Sequence, residues 1–208
     1  ADKWQDILFR SFQHLALVVQ SVLLATIIAI ALAVLVTRVP RLKPAANMLS
    51  AIGLTIPSFA LLGLLLPLFG IGPVSPFVAV TFYATLPILR NAVVGLAGVS
   101  PTLLESAKGM GMGATTRFLR VQLPMAWPVI MAGLRVSAQM SMGVAAIAAY
   151  TLGPGLGGYI FTGLAQLGGA NALNYALVGT LGVVVLALLL DAALLLVSRL
   201  TTSKGIRA

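Results

Sequence analysis

The sequence predicts an all-α membrane protein of about five transmembrane helices. Three observations carry that expectation. Of the 208 residues, 60% are hydrophobic and only 8% are charged, whereas a soluble domain carries about 45–50% apolar and about 25% charged residues. The charges fall in short groups between long uncharged runs. Finally, five spans of about 20 residues use most of the chain. No second large domain fits beside them, so residues 1–208 form one membrane domain. A water-facing enzyme domain is excluded by the first observation. Cysteine is absent, which removes any disulfide framework or thiolate metal site.

The elements follow in order. Residues 1–14 are mixed, with Trp4, Ile7, Leu8 and Phe12 near helical spacing, and read as a short helix on the membrane surface. The first span covers Leu15–Val36, followed by Arg38, Arg41 and Lys43 between Pro40 and Pro44. A second span covers Met48–Phe69 and contains Pro57; the tight link Gly70–Pro73 leads to a third, Pro76–Ala97, with Pro87 and Arg90 inside it. Residues 99–124 hold Glu105, Lys108, Arg117 and Arg120 and are too polar to span. They read as a helix–turn–helix loop. The fourth span covers Met125–Leu152 and contains Pro128 and Arg135. Gly153–Asn174 is Gly-rich and uncharged, and a fifth span covers Tyr175–Ser198 before a basic tail, 199–208.

Charge sets the orientation. Nine of the 13 basic residues lie in the 38–43 loop, the 99–124 loop and the tail. The opposite loops carry none. Basic loops stay on the cytoplasmic side, which puts the N-terminus outside and the C-terminus inside, as an odd number of spans requires. Net charge is +9, yet the basic residues do not cluster on a solvated face, so nucleic acid is not the expected partner; the lipid membrane is.

The 99–124 loop is the most informative segment. It reads Glu105-Ser106-Ala107, three residues, Gly111, nine residues, then Val121-Gln122-Leu123-Pro124. Two short helices joined by a Gly bend make a rigid knob. Ser106 and Ala107 allow close packing, Gly111 permits a left-handed turn, Pro124 suits the first turn of the next helix, and Glu105 offers a polar anchor. This pattern resembles the EAA loop of permease subunits of ABC importers: Glu-Ala-Ala, three residues, Gly, nine residues, Ile-x-Leu-Pro. Ser106 stands for Ala, and Val121 for Ile. The resemblance makes Glu105, Ser106, Ala107, Gly111, Val121, Leu123 and Pro124 the residues that couple to the ATPase.

Further segments look like the osmoprotectant branch of that family. They are Leu86–Asn91, Gly109–Met112, Leu123–Arg135, Gly153–Gly158 (with Pro154 in place of a glycine) and Leu188–Asp191. The branch implies a type I ABC importer permease core in the cytoplasmic (inner) membrane. It also implies an ABC ATPase subunit that holds ATP and Mg, an extracytoplasmic substrate-binding protein and a second permease subunit, identical or paralogous. The implied substrate is glycine betaine, carnitine, choline or proline betaine, with another small zwitterion or amino acid as the alternative. No cofactor or metal is implied on this chain, and no catalytic residue. Its sequence has no Gly-x-x-x-x-Gly-Lys-[Ser/Thr] loop to cradle ATP. A secondary transporter or channel is the alternative from another class; such transporters commonly show inverted repeats, and none is visible here.

Arg90, Arg135 and Asp191 fall inside the spans. A lone charge there costs about 2.5–3.5 kcal/mol, so Asp191 is expected to pair with Arg90 or Arg135. Pro57 and Pro87 are candidates for bending helices around a substrate path. Tyr83 and Tyr150 are candidates to line it; with Tyr159 and Tyr175 they offer π faces to a quaternary ammonium, against the commoner role of tyrosines as interfacial anchors. His14 has no partners that would make it catalytic or metal-binding.

Overall fold

The computed structural model describes residues 3–202 and Gly205. Asp2, Lys204 and Arg207 lie outside the described residues. Among the described residues every regular element is helical: α1 (Lys3–Arg38), α2 (Lys43–Thr55), α3 (Ser58–Phe69), α4 (Val74–Ala97), α5 (Pro101–Gly109), α6 (Ala114–Arg117), α7 (Leu123–Ile147), α8 (Gly157–Ala165) and α9 (Ala172–Thr201). Helices satisfy their own backbone hydrogen bonds, which is what a bilayer demands. Four are long and apolar enough to cross a membrane, and a fifth span results if α2 and α3 count as one.

Two expectations about the first half are corrected. Residues 3–14 do not form a separate surface helix; α1 runs unbroken for 36 residues. That is about 54 Å at 1.5 Å per residue, well beyond a 30 Å hydrocarbon core. The chain carries no Gly or Pro between Lys3 and Arg38, and the Asp6–Arg10 pair, one turn apart at 2.8 Å, supports the helix through the polar stretch. The second correction is to the 48–69 span, which is broken. Its two halves meet at 95°, with Ile56 and Pro57 extended between them. Proline disfavours helical geometry in the residue before it, and its fixed φ starts α3 cleanly.

The core is the contact of α1, α4 and α7. Val18, Val22, Ala25, Ala29, Ala33 and Val36 form one buried stripe on α1. Small side chains at that spacing let α1 lie close against α4, the packing mode that substitutes for a hydrophobic drive inside lipid. α4 and α7 approach closely at two glycines. A Cβ on Gly133 would sit 2.6 Å from the Asn91 Cβ, and one on Gly95 would sit 3.1 Å from the Ala126 carbonyl oxygen. Ser137 Oγ donates to the Ala84 carbonyl oxygen at 2.7 Å across the same contact. α9, of mean hydropathy 2.7 in its most apolar window, buries only Ala172 and Gly179, which leaves most of its surface for lipid or another chain.

The Gly153–Asn174 segment contains a helix that composition hides. Its glycines lower helix propensity but serve close packing instead. A Cβ on Gly157 would fall 2.0 Å from the Ala146 carbonyl oxygen, and one on Gly163 would fall 2.6 Å from that of Ala172. α8 thereby folds back between the end of α7 and the start of α9.

Candidate functional site

The 99–124 segment forms a knob beyond the ends of α4 and α7. α5 ends in a Schellman cap: the Met112 N–H donates to the Ala107 carbonyl oxygen at 3.1 Å and the Gly111 N–H to that of Lys108 at 2.9 Å. This motif requires a left-handed residue at its centre, and Gly111 has φ +83° with open space around it. The spacing between Ala107 and Gly111 is therefore the spacing of a helix stop. Ala107 is buried. Ser106 Oγ donates back to the Thr102 carbonyl oxygen at 2.9 Å, and Glu105 is exposed. Leu103, Met110 and Leu119 are large apolar side chains left exposed on the same knob.

Pro124 lies in the first turn of α7, as expected, but that turn is not a free helix start. α6, a π-helical turn at Phe118–Gln122, and α7 form one helical run. In an α-helix Pro124 would press on the Arg120 carbonyl. Here the Leu123 N–H reaches the Phe118 carbonyl, one residue further back than an α-helical bond. The widened turn accommodates the proline, and such turns recur at functional sites. The knob is thus continuous with a membrane-crossing helix. Gln122 Nε2 also donates to the Leu96 carbonyl oxygen at 3.3 Å, near the end of α4. Trp127 Nε1 donates to Thr201 Oγ1 at 2.7 Å, tying α7 to the end of α9. Sequence pattern gave no sign of either contact, because neither side chain carries a charge that demands a partner. Val121 and Leu123 are half-buried at the base.

Of the two arginines considered for Asp191, the structure selects Arg135. Its Nε and Nη2 donate to Oδ1 and Oδ2, each at 2.8 Å. This bidentate fork joins α7 to α9 and matches the planar geometries of the two groups. Arg90 takes no part in it; the side chain is exposed near the inner end of α4.

Tyr83 is 4% exposed and its hydroxyl donates to the Ile56 carbonyl oxygen, holding the α2–α3 break against α4. It is a packing residue and presents no open ring. Tyr150 is 58% exposed and lies against Phe59 and Phe161, with ring centroids 4.5 and 5.8 Å away. Pro57 sits in the break and Pro87 is buried inside α4. His14 is fully buried, its Nε2 donating to the Met142 carbonyl oxygen at 3.1 Å.

At the other end of the bundle a polar cluster joins α1 to α8. Asp6 accepts from Arg10 Nε at 2.8 Å and from the Tyr159 hydroxyl at 2.5 Å. The Tyr159 bond, then Arg10, hold the Asp6 carboxyl below its ordinary range. Burial, then the Asp6 bond, push the Tyr159 phenol up to about 12. Individually these residues read as interfacial decoration; only the return of α8 brings them together.

A multi-pass helical bundle, with a broken helix packed against its α4 and a capped knob continuous with one crossing helix, has the build of a membrane transport permease. The chain belongs to the family described as "Binding-protein-dependent transport system inner membrane component", whose model matches residues 14–203. It is 37% identical over 204 residues to the choline transport system permease protein OpuBB of Bacillus subtilis, covering 97% of this chain and 91% of that protein. To the glycine betaine/carnitine/choline transport system permease protein OpuCB of the same organism it is 38% identical, over the same shares. To the osmoprotectant import permease protein OsmW of Salmonella typhimurium it is 39% identical, over 95% of this chain and 92% of that one. A chain of the MetNI methionine ABC transporter, solved in inward-facing form, superposes with a TM-score of 0.82 at 22% identity, covering 98% of this chain and all of that one. At that identity the likeness speaks for the fold, which is the type I ABC permease core.

Proposed function

We propose that this chain is the permease subunit of an ATP-driven importer for small quaternary-ammonium osmoprotectants such as glycine betaine, carnitine and choline. The observation that carries the reading is the set of relatives: three permeases of that named substrate class, 37–39% identical across at least 95% of this chain. The knob supports the mechanical part. Its Schellman cap and its continuity with α7 make a lever that can transmit motion. In this reading Glu105, the exposed apolar side chains and the Gly111 turn seat in a partner ATPase, which alone holds ATP and Mg. ATP-driven closure of the ATPases moves the knob, α7 follows, and α9 moves with it through Arg135–Asp191 and Trp127–Thr201. A binding protein outside delivers the substrate, and a second permease subunit completes the path. The distribution of basic loops supports a topology in this reading with the knob and the C-terminus in the cytoplasm and the start of α1 outside.

The test is co-purification and uptake. With its ATPase and binding protein in proteoliposomes, the permease should take up labelled glycine betaine only when ATP is inside. Glu105→Lys should release the ATPase from the complex. Uptake driven by an ion gradient without any ATPase would contradict the proposal.

A further inference from the structure

The cleft between the N-terminal third of α1 and the α8–α9 hairpin has not been accounted for by the coupling machinery. It encloses a cavity of about 630 Å³, lined by Lys3, Asp6 and Arg10 from α1, Tyr159 and Phe161 from α8, and Tyr175 from α9. Lys3, Asp6 and Arg10 are spaced three and four apart, so they share one helix face. The Tyr159 and Tyr175 rings stack with centroids 6.0 Å apart and planes 23° apart. Each already holds a cation: the Arg10 guanidinium lies 5.5 Å from the Tyr159 centroid, and the Lys3 Nζ lies 5.9 Å from that of Tyr175.

The two cations are not equivalent. Arg10 is fixed by Asp6, and Asp6 is fixed again by Tyr159. Those three groups form a closed frame. Among the described residues Lys3 has no carboxylate partner, and only the Tyr175 face holds its ammonium. Contacts of that kind at exposed sites are weak, so they exchange. The lining carries two positive groups against one negative, and its surplus charge is the mobile one.

We infer that this cleft is an entry subsite for a ligand carrying a quaternary or primary ammonium and an acidic oxyanion a few ångströms apart. The ligand's ammonium takes the place of Lys3 on the Tyr175 face, and the released Lys3 ammonium pairs with the ligand's oxyanion. Charge stays balanced in the exchange, and no ion is stripped of its partner. Phe161 gives the site a way onward: it faces the cleft and also contacts Tyr150, which contacts Phe59 at the first turn of α3, beside the Pro57 break. A run of π faces therefore leads from the outer cleft to the broken helix, and a trimethylammonium can pass along it from ring to ring. Two sources supply this chemistry: the incoming betaine and a zwitterionic lipid headgroup at the same membrane face. As a step in osmoprotectant import, the inference rests on the function proposed above.

Saturation-transfer NMR on the permease–ATPase complex in phosphatidylglycerol nanodiscs, without binding protein, tests it with glycine betaine as the probe. Transfer to the N-methyl protons is expected for the unchanged protein, falling about two- to fivefold in Tyr175→Leu, the range of an exposed cation–π contact, and persisting in Tyr175→Phe. Lys3→Gln, at an exposed position that does not endanger folding, should weaken the betaine signal and leave that of choline, which has no carboxylate. Loss of the betaine signal in phosphatidylethanolamine nanodiscs identifies the lipid headgroup as the resident ligand of the same subsite; its survival identifies the substrate. No transfer, or transfer unchanged in both Tyr175→Leu and Lys3→Gln, overturns the inference and leaves Asp6–Arg10–Tyr159 as a clamp. ATP-driven betaine uptake by the complete importer is measured alongside. If uptake is absent the functional reading fails, and if uptake is present without transfer only the subsite fails.

Discussion

Asp191→Asn is the perturbation whose size the structure constrains best. Arg135 lies midway along α7, and its fork to Asp191 spans from α7 to α9 with both contacts at 2.8 Å. Asparagine keeps the shape and removes the charge. An unpaired arginine at the middle of a spanning helix costs about 2.5–3.5 kcal/mol. The Arg135 side chain is 34% exposed and Asp191 19%, so part of that cost is relieved by snorkelling and screening. The expected loss is about 1–2 kcal/mol. Arg135→Gln alone should cost less, because a protonated Asp191 can remain in lipid as a neutral group. The double variant should recover most of the loss, giving a coupling energy of about 1 kcal/mol or more in a double-mutant cycle. Thermal unfolding in a mild detergent, with ATP-driven uptake as a second readout, measures it. Additive effects, with coupling under about 0.5 kcal/mol, would refute the pair. Equal coupling of Asp191 to Arg90 would refute the placement of α9.

Three other outcomes follow from the geometry. Gly111→Ala has room for its methyl group but must hold a left-handed φ of +83°, at a cost of about 1–2 kcal/mol; ATPase pull-down should weaken while the unfolding temperature of the membrane bundle stays put. Gly157→Ala drives a Cβ to 2.0 Å from the Ala146 carbonyl, whereas Gly143→Ala meets nothing within 4 Å; the first should lower stability by about 3 kcal/mol and the second should be silent on thermal unfolding. In the outer clamp, Asp6 has a depressed pKa, so its contribution is present above the ordinary 3.8 and is lost as pH falls through the lower folded value. Tyr159 has a raised one, so its contribution is complete below 10.0 and fades as pH climbs toward about 12. Phenolate absorbance should show a late-ionising tyrosine that Tyr159→Phe removes. Asp6→Asn should lower its midpoint but leave it above 10.0, because burial is the larger cause.

The spans were legible because run length and the absence of charge report burial in lipid directly. The knob was legible because a Schellman cap and a proline-bearing helix entry leave fixed spacings in sequence. Other features depend on partners that pattern does not reveal. Depth along the helix could not choose between Arg90 and Arg135, since the choice is made by the rotation of α9 against α7. Pro57 marked a bend, but neither its 95° angle nor the Tyr83 bond to the Ile56 carbonyl at that break is written in the local pattern. The unbroken α1 was readable in principle: no Gly or Pro interrupts residues 3–38, and the polar residues near its start suggested a boundary that helix chemistry does not require. α8 was hidden because glycines that lower propensity in isolation are the ones that let its backbone pack at van der Waals distance.

The most direct test of the central claim is uptake of labelled glycine betaine by proteoliposomes holding the permease, its ATPase and its binding protein, compared with Gly111→Ala in the same preparation. The expected result is uptake that requires internal ATP and binding protein and that falls in the variant, with the membrane bundle equally stable. Uptake independent of ATP, or unaffected by the loss of the turn in the knob, would contradict it.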